Sequence, residues 1–148
     1  MLHNVRTLSI NVERHFDDVA MFLAEPLNFP IWATGLSEGL APGTQGSGAA
    51  PDEWIAKGPV ASDGNDGNAG SVFIRFSPPN TFGIADHWVR LPDGSVVYVP
   101  LRVVRNGAGT TVSLTLFQQP NMDDAQFEAD AEWVQRDLVK LKMVLEAE

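Results

Sequence analysis

Phe82-Gly83-Ile84-Ala85-Asp86-His87-Trp88-Val89-Arg90-Leu91-Pro92-Asp93-Gly94-Ser95-Val96-Val97-Tyr98-Val99-Pro100-Leu101 is the stretch whose reading decides the fold. Asp-Gly between two apolar runs is a strong hairpin signal, because a type I′ turn needs positive φ at both central residues. A two-residue Asp93-Gly94 turn sets Leu91 opposite Val96, His87 opposite Pro100 and Asp86 opposite Leu101. Even positions before the turn then share a face with odd positions after it. Phe82, Ile84, Asp86 and Trp88 are therefore expected inside with Val97, Val99, Leu101 and Val103, and Ala85, His87, Tyr98 and Arg102 outside. Pro100 removes a ladder donor and marks a bulge, beyond which Arg102 would turn inward and Leu101 outward.

The same alternation extends to the neighbouring segments. Strands are expected over Ser71 to Ser77, Phe82 to Leu91, Val96 to Arg105 and Thr110 to Gln119, with Asn106-Gly107 marking a second hairpin. Val72, Ile74, Phe76, Val112, Leu114 and Leu116 join the inner face; Arg75, Thr111, Ser113 and Thr115 join the outer one. Upstream, Val5 to Glu13 alternates as a strand wet on one side. Phe16 to Ala24 reads as a short helix behind Asp17-Asp18, and Pro26 to Ala33 as a second helical turn. Two segments rich in Gly, Pro, Ser and Asp, Ala41 to Asp52 and Gly58 to Gly70, read as mobile loops around a short strand at Trp54-Ile55-Ala56.

After Pro120, Asp123-Asp124-Ala125-Gln126 has the form of a capping box, and Phe127, Ala131, Val134, Leu138, Leu141 and Leu145 recur at helical spacing. The helix so predicted has about 24 residues and is roughly 36 Å long. Its apolar stripe needs a sheet to lie on.

Several of these strings resemble the START/SRPBCC superfamily, in particular its polyketide cyclase/dehydrase-like and lipid-transport-like branch. They are Glu25-Pro26-Leu27-Asn28-Phe29-Pro30-Ile31-Trp32-Ala33, the strand Phe82 to Val89, and the closing helix from Phe127 to Glu146. Glu25 stands where the family usually has Asp. The resemblance covers essentially the whole chain and implies an α+β helix-grip fold. That is a seven-stranded curved antiparallel sheet wrapped around a long C-terminal helix, with two short helices after the first strand and residues 1–148 as a single domain. It carries over no catalytic set.

Composition narrows the function classes. The 148 residues carry a formal charge of -9 with only 10 Lys and Arg, which disfavours a nucleic-acid surface. Without cysteine there is no disulfide, thiolate ligand or thiol nucleophile, and the expected compartment is the cytoplasm. No apolar run is long enough to span a bilayer, and no signal-peptide core precedes the first strand. Gly35-Leu36-Ser37-Glu38-Gly39 matches the nucleophile-elbow pattern, but a proline-bounded turn precedes Ser37 and a Gly/Pro-rich loop follows it. His3, His15 and His87 lack ligand spacing, and Asp63 to Asn68 lacks the sixth-position Gly and closing Glu of a calcium loop. No cofactor and no metal is implied.

The expectation is a cavity between sheet and terminal helix that binds a small hydrophobic or amphipathic molecule of lipid, aromatic polyketide or isoprenoid type. Trp32, Trp54, Phe76, Ile84, Asp86 and Trp88 are expected to line it, with Val99, Leu101, Leu116, Val134 and Leu138. One alternative is a cyclase or dehydratase in which Asp86 is the acid/base and Arg90 positions the substrate. Another is a protein-interaction module with a collapsed interior. The chain is expected to be a monomer or homodimer, and the sequence leaves open whether chemistry happens in the cavity.

Overall fold

The computed structural model describes residues 1–57 and 71–147. The Gly58 to Gly70 loop, and with it the Asp63 to Asn68 string, lies outside the described residues. Strand β1 (Val5–Val12) leads into helix α1 (Phe16–Ala24), whose Phe16, Val19 and Leu23 are buried. Pro26 stops α1 and opens a 3-10 turn, Pro26–Asn28, that runs into the single-turn helix α2 (Phe29–Trp32). Strands β2 (Leu40–Pro42), β3 (Glu53–Ala56), β4 (Phe73–Phe76), β5 (His87–Arg90) and β6 (Val96–Val99) form one antiparallel sheet in sequence order. β7 (Leu101–Asn106) and β8 (Gly109–Phe117) join β1 in a second sheet, ordered β1-β8-β7, and helix α3 (Asp124–Glu146) closes the described chain.

The architecture is α+β, with a long C-terminal helix, antiparallel pairing and short helices after the first strand. The strand count differs from expectation: eight strands lie in two sheets rather than seven in one. Pro100 is the cause, since it divides the segment expected as one strand into β6 and β7. Leu40–Pro42 forms a strand within what composition assigned partly to a loop.

The decisive hairpin closes one residue away from the predicted register. Leu91 pairs with Ser95 through its N–H to the Ser95 carbonyl, and Gly94, at φ 89°, returns its own N–H to the Leu91 carbonyl. The loop is thus Pro92-Asp93-Gly94. Proline suits the first position of a type I turn, and glycine the left-handed residue that follows. The added residue makes His87 face Val99, Trp88 face Tyr98 and Val89 face Val97. Odd positions therefore pair with odd ones.

The facing of β5 is corrected accordingly. His87 and Val89 look inward with Trp54, Ile74, Phe76, Val97 and Val99, whereas Trp88 and Arg90 look outward with Arg75 and Tyr98. Asp86 lies across from Pro100, and Ile84 bridges Arg102 on the outer side. Phe82, expected inside, is 77% exposed. Parity does not reverse past Pro100: Leu101 and Val103 are buried and the Arg102 side chain is half exposed. The inward assignments of Ile74, Phe76, Val97, Val99, Leu101, Val103, Val112, Leu114 and Leu116 stand; the shifted loop exchanges the faces of the segment from Phe82 to Leu91 alone.

The main core lies over the three-stranded sheet. Leu8, Val12, Leu101, Val103, Val112 and Leu114 are sealed there with Val19 and Leu23 of α1 and Ala131, Leu138, Leu141 and Leu145 of α3. α3 starts where the sequence places its cap, the Asp123 carboxylate accepting the Gln126 N–H at 2.7 Å. No helix among the described residues is long and apolar enough to cross a membrane.

Candidate ligand-binding cleft and the outer-face Asp86 lock

Over the five-stranded sheet the inner face is less completely covered. Trp54, Ala56, Phe76, His87, Val89, Val97 and Val99 remain partly exposed, while Leu40 and Ile74 are buried. Packed in the same apolar cluster are Phe29 and Trp32 of α2 and Val134 of α3. The prolines at 26 and 30 shape that stretch of α2, and Thr34 ties its exit to α3. The Thr34 hydroxyl donates to Asp137 at 2.8 Å and its N–H donates to the same oxygen at 3.3 Å. Burial pushes the Asp137 carboxyl above the usual carboxylate range, against the lowering effect of these two bonds.

The floor is aromatic. Phe29 sits 5.4 Å from Trp32, 4.8 Å from Phe76 and 5.3 Å from His87, measured between ring centroids. Desolvation in this setting lowers the His87 imidazole to about 4, so it is neutral at pH 7. Nδ1 lies 3.3 Å from the Ala85 carbonyl; as a donor there, it leaves Nε2 as the acceptor nitrogen. Trp32 is 3% exposed, and its indole Nε1–H has no hydrogen-bond partner.

On the outer face, Asp86 is 4% exposed yet densely bonded. Its Oδ1 accepts the Leu101 N–H at 2.9 Å and Arg102 Nε at 2.8 Å; its Oδ2 accepts Tyr98 Oη and Arg102 Nη2, both at 2.8 Å. In a regular ladder Ala85 and Leu101 would exchange two bonds. Here Ala85 N–H reaches the Leu101 carbonyl, while the Leu101 N–H turns to the Asp86 carboxylate. The Ala85 carbonyl is left for His87. Burial alone would raise the Asp86 pKa, but Arg102, Tyr98 and the Leu101 amide together hold it below the usual carboxylate value. The carboxylate locks the ladder where proline interrupts it, and an acid/base role would require this cluster to open.

Of the residues expected to line a cavity, Trp32, Trp54, Phe76, Val99, Leu101, Leu116, Val134 and Leu138 belong to one apolar cluster inside the grip. Leu101 and Leu138 are wholly enclosed and offer no surface. Ile84, Asp86 and Trp88 are on the other side of the sheet, where Trp88 stacks on Tyr98 at 5.3 Å and carries the Arg75 guanidinium at 4.2 Å. Arg90, expected to position a substrate, instead bonds Glu53 and the Gly48 carbonyl. Phe29, His87 and Val89 were missed; Pro92 ahead of Asp-Gly was the available signal for a three-residue loop, and it would have put His87 inside. Among the described residues no three His, Asp or Glu side chains gather where they could hold a metal.

No family model matches this sequence, and no curated protein does. Solved structures do match. A START superfamily protein from Mycobacterium smegmatis superposes with TM-score 0.68 at 10% identity, over 97% of both chains. The chain has the START-type helix-grip fold. DynU16, a protein of the dynemicin biosynthetic locus, superposes with TM-score 0.61 at 14% identity, covering 96% of this chain and 47% of that one, so this chain spans about half of it. Ara h 8.0201 gives TM-score 0.59 at 8% identity, over 98% and 99% of the two chains. At these identities the likeness is one of START-type architecture.

Proposed function

We propose that residues 1–148 act as one binding domain that holds a small hydrophobic molecule between the inner face of β3–β6 and the α2/α3 wall. The observation that carries this reading is the contrast between the two sheets. Apolar side chains over β1-β8-β7 are mostly sealed, whereas those over β3–β6 keep surface uncovered on the inward side. Each Å² of apolar surface removed from water contributes about 25 cal/mol, so an apolar molecule placed there gains directly from burial. The cleft residues in this reading are Trp32, Trp54, Phe76, Val99, Leu116 and Val134, with His87 and Val89 added. Membership of the START-type fold supports the same reading at the level of architecture.

The test uses a hydrocarbon probe, so that no polar contact is needed. 2-Isopropenylnaphthalene, titrated by native mass spectrometry and tryptophan fluorescence, should bind the wild-type chain and bind Val134→Trp at least about tenfold more weakly, through loss of the space it occupies. Val134 is partly exposed, so Val134→Trp should keep a wild-type circular dichroism spectrum. Absence of binding to the wild type would refute the cleft.

A further inference from the structure

Buried polar side chains among the described residues are almost all matched. Asp86 has its four bonds, the Thr110 hydroxyl donates to the Arg14 carbonyl at 2.7 Å, and Asp137 accepts from Thr34. Trp32 Nε1 is the exception among the described residues. A buried donor without an acceptor is disfavoured, and native proteins keep few of them. Trp32 is not there by slack. The Ala33 N–H closes α2 on the Phe29 carbonyl at 2.8 Å, the next turn closes from Leu36 N–H to the Ala33 carbonyl at 2.9 Å, and Thr34 is bonded to Asp137 in α3. The indole is held on a fixed turn, and its donor meets no acceptor among the described residues.

The surroundings limit what that is. The inward positions of β3–β6 are Trp54, Ala56, Ile74, Phe76, His87, Val89, Val97 and Val99, without a Lys or Arg. The imidazole of His87 is neutral at pH 7, and the buried ionisable side chain of α3 is that of Asp137. A ligand anion would find no Lys or Arg at these inward sheet positions and would lose its hydration. Resting on the cleft reading above, we propose that the molecule bound is a neutral, apolar carbonyl compound, its oxygen accepting the hydrogen bond of Trp32 Nε1 and its body lying against Phe76 and His87.

Matched probes test this. 2-Acetylnaphthalene, 2-isopropenylnaphthalene and 2-naphthoate share a ring system and differ as ketone, isosteric hydrocarbon and anion. The wild-type chain should bind the ketone about tenfold more tightly than the hydrocarbon, the preference expected of one buried hydrogen bond. The anion should bind more weakly than the ketone. Trp32→Phe should equalise ketone and hydrocarbon while still binding the hydrocarbon. A readout independent of that variant is the ¹H–¹⁵N spectrum of the wild-type indoles, where the Trp32 proton should move downfield with the ketone and not with the hydrocarbon. It is assigned by elimination from Trp54→Phe, Trp88→Phe and Trp133→Phe. Equal binding of ketone and hydrocarbon with an unmoved Trp32 proton overturns the carbonyl proposal and leaves the cleft intact; tighter binding of the naphthoate overturns the neutral-ligand part. Failure of all three probes to bind removes the cleft itself.

Discussion

His87 lies with its ring against Phe29 and Phe76, and this position makes stability depend on pH in a way that can be assigned to one residue. Its pKa falls from 6.5 to about 4 on folding, chiefly because burial disfavours the imidazolium. The unfolded chain therefore takes up a proton below pH 6.5 that the folded chain refuses until about 4. The contribution is complete above the unfolded value and is lost as pH falls through that window, to a total of roughly 3 kcal/mol. The raised carboxyls Asp130 and Asp137 act in the opposite direction, so the informative quantity is a difference between proteins. Urea unfolding of the wild type and of His87→Phe at pH 7 and 4.5 should show a smaller loss in the variant by about 2 kcal/mol; equal losses would mean that His87 is not desolvated. At Asp86, replacement by Ala leaves the Leu101 N–H without its acceptor and Arg102 without its partner. Because the Arg102 side chain is half exposed and can be rehydrated, the expected cost is about 2 kcal/mol rather than that of a fully buried pair. A cost below about 0.5 kcal/mol by the same measurement would show that the ladder repairs itself around Pro100.

At the level of elements, β1 is an edge strand, paired on one side only, with β8. Such an edge presents free backbone groups to other chains. Here α3 occupies them: Gln135 Nε2 donates to the Ser9 carbonyl at 3.4 Å, Lys142 Nζ to the Asn11 carbonyl at 3.0 Å, and the Glu13 N–H donates to Glu146 at 2.7 Å. The helix that closes the core also shields the strand. The double variant Gln135→Ala/Lys142→Ala should retain the wild-type fold by circular dichroism yet associate with rising concentration in sedimentation or light scattering; a strictly unchanged association state would show that the edge is protected by other means. The opposite edge, β2, needs less help, being three residues long and ending in Pro42.

For the whole molecule, the sequence determined what depends on neighbours along the chain. The order of elements, the Asp123 cap, the stop before Pro26, and the inward faces of β1, β7 and β8 follow from alternation, helical spacing and local capping, all of which act within a few residues. Trp32, Trp54, Phe76, Val99, Leu116 and Val134 were therefore legible as interior positions. Tertiary structure settled the facing of β5, because a hairpin loop of three residues rather than two exchanges every side chain between faces, and of the two loops open to Asp93-Gly94 it shows the longer one, to which Pro92 belongs. It moved Asp86 and Trp88 outward and His87 inward. It also decided that Asp86 is a structural lock, since the carboxylate meets an unsatisfied amide only where Pro100 breaks the ladder across from it. Interactions between segments far apart in the chain, such as Thr34 with Asp137 and Phe29 with His87, leave no periodic mark in sequence, and those are the contacts that shape the cleft.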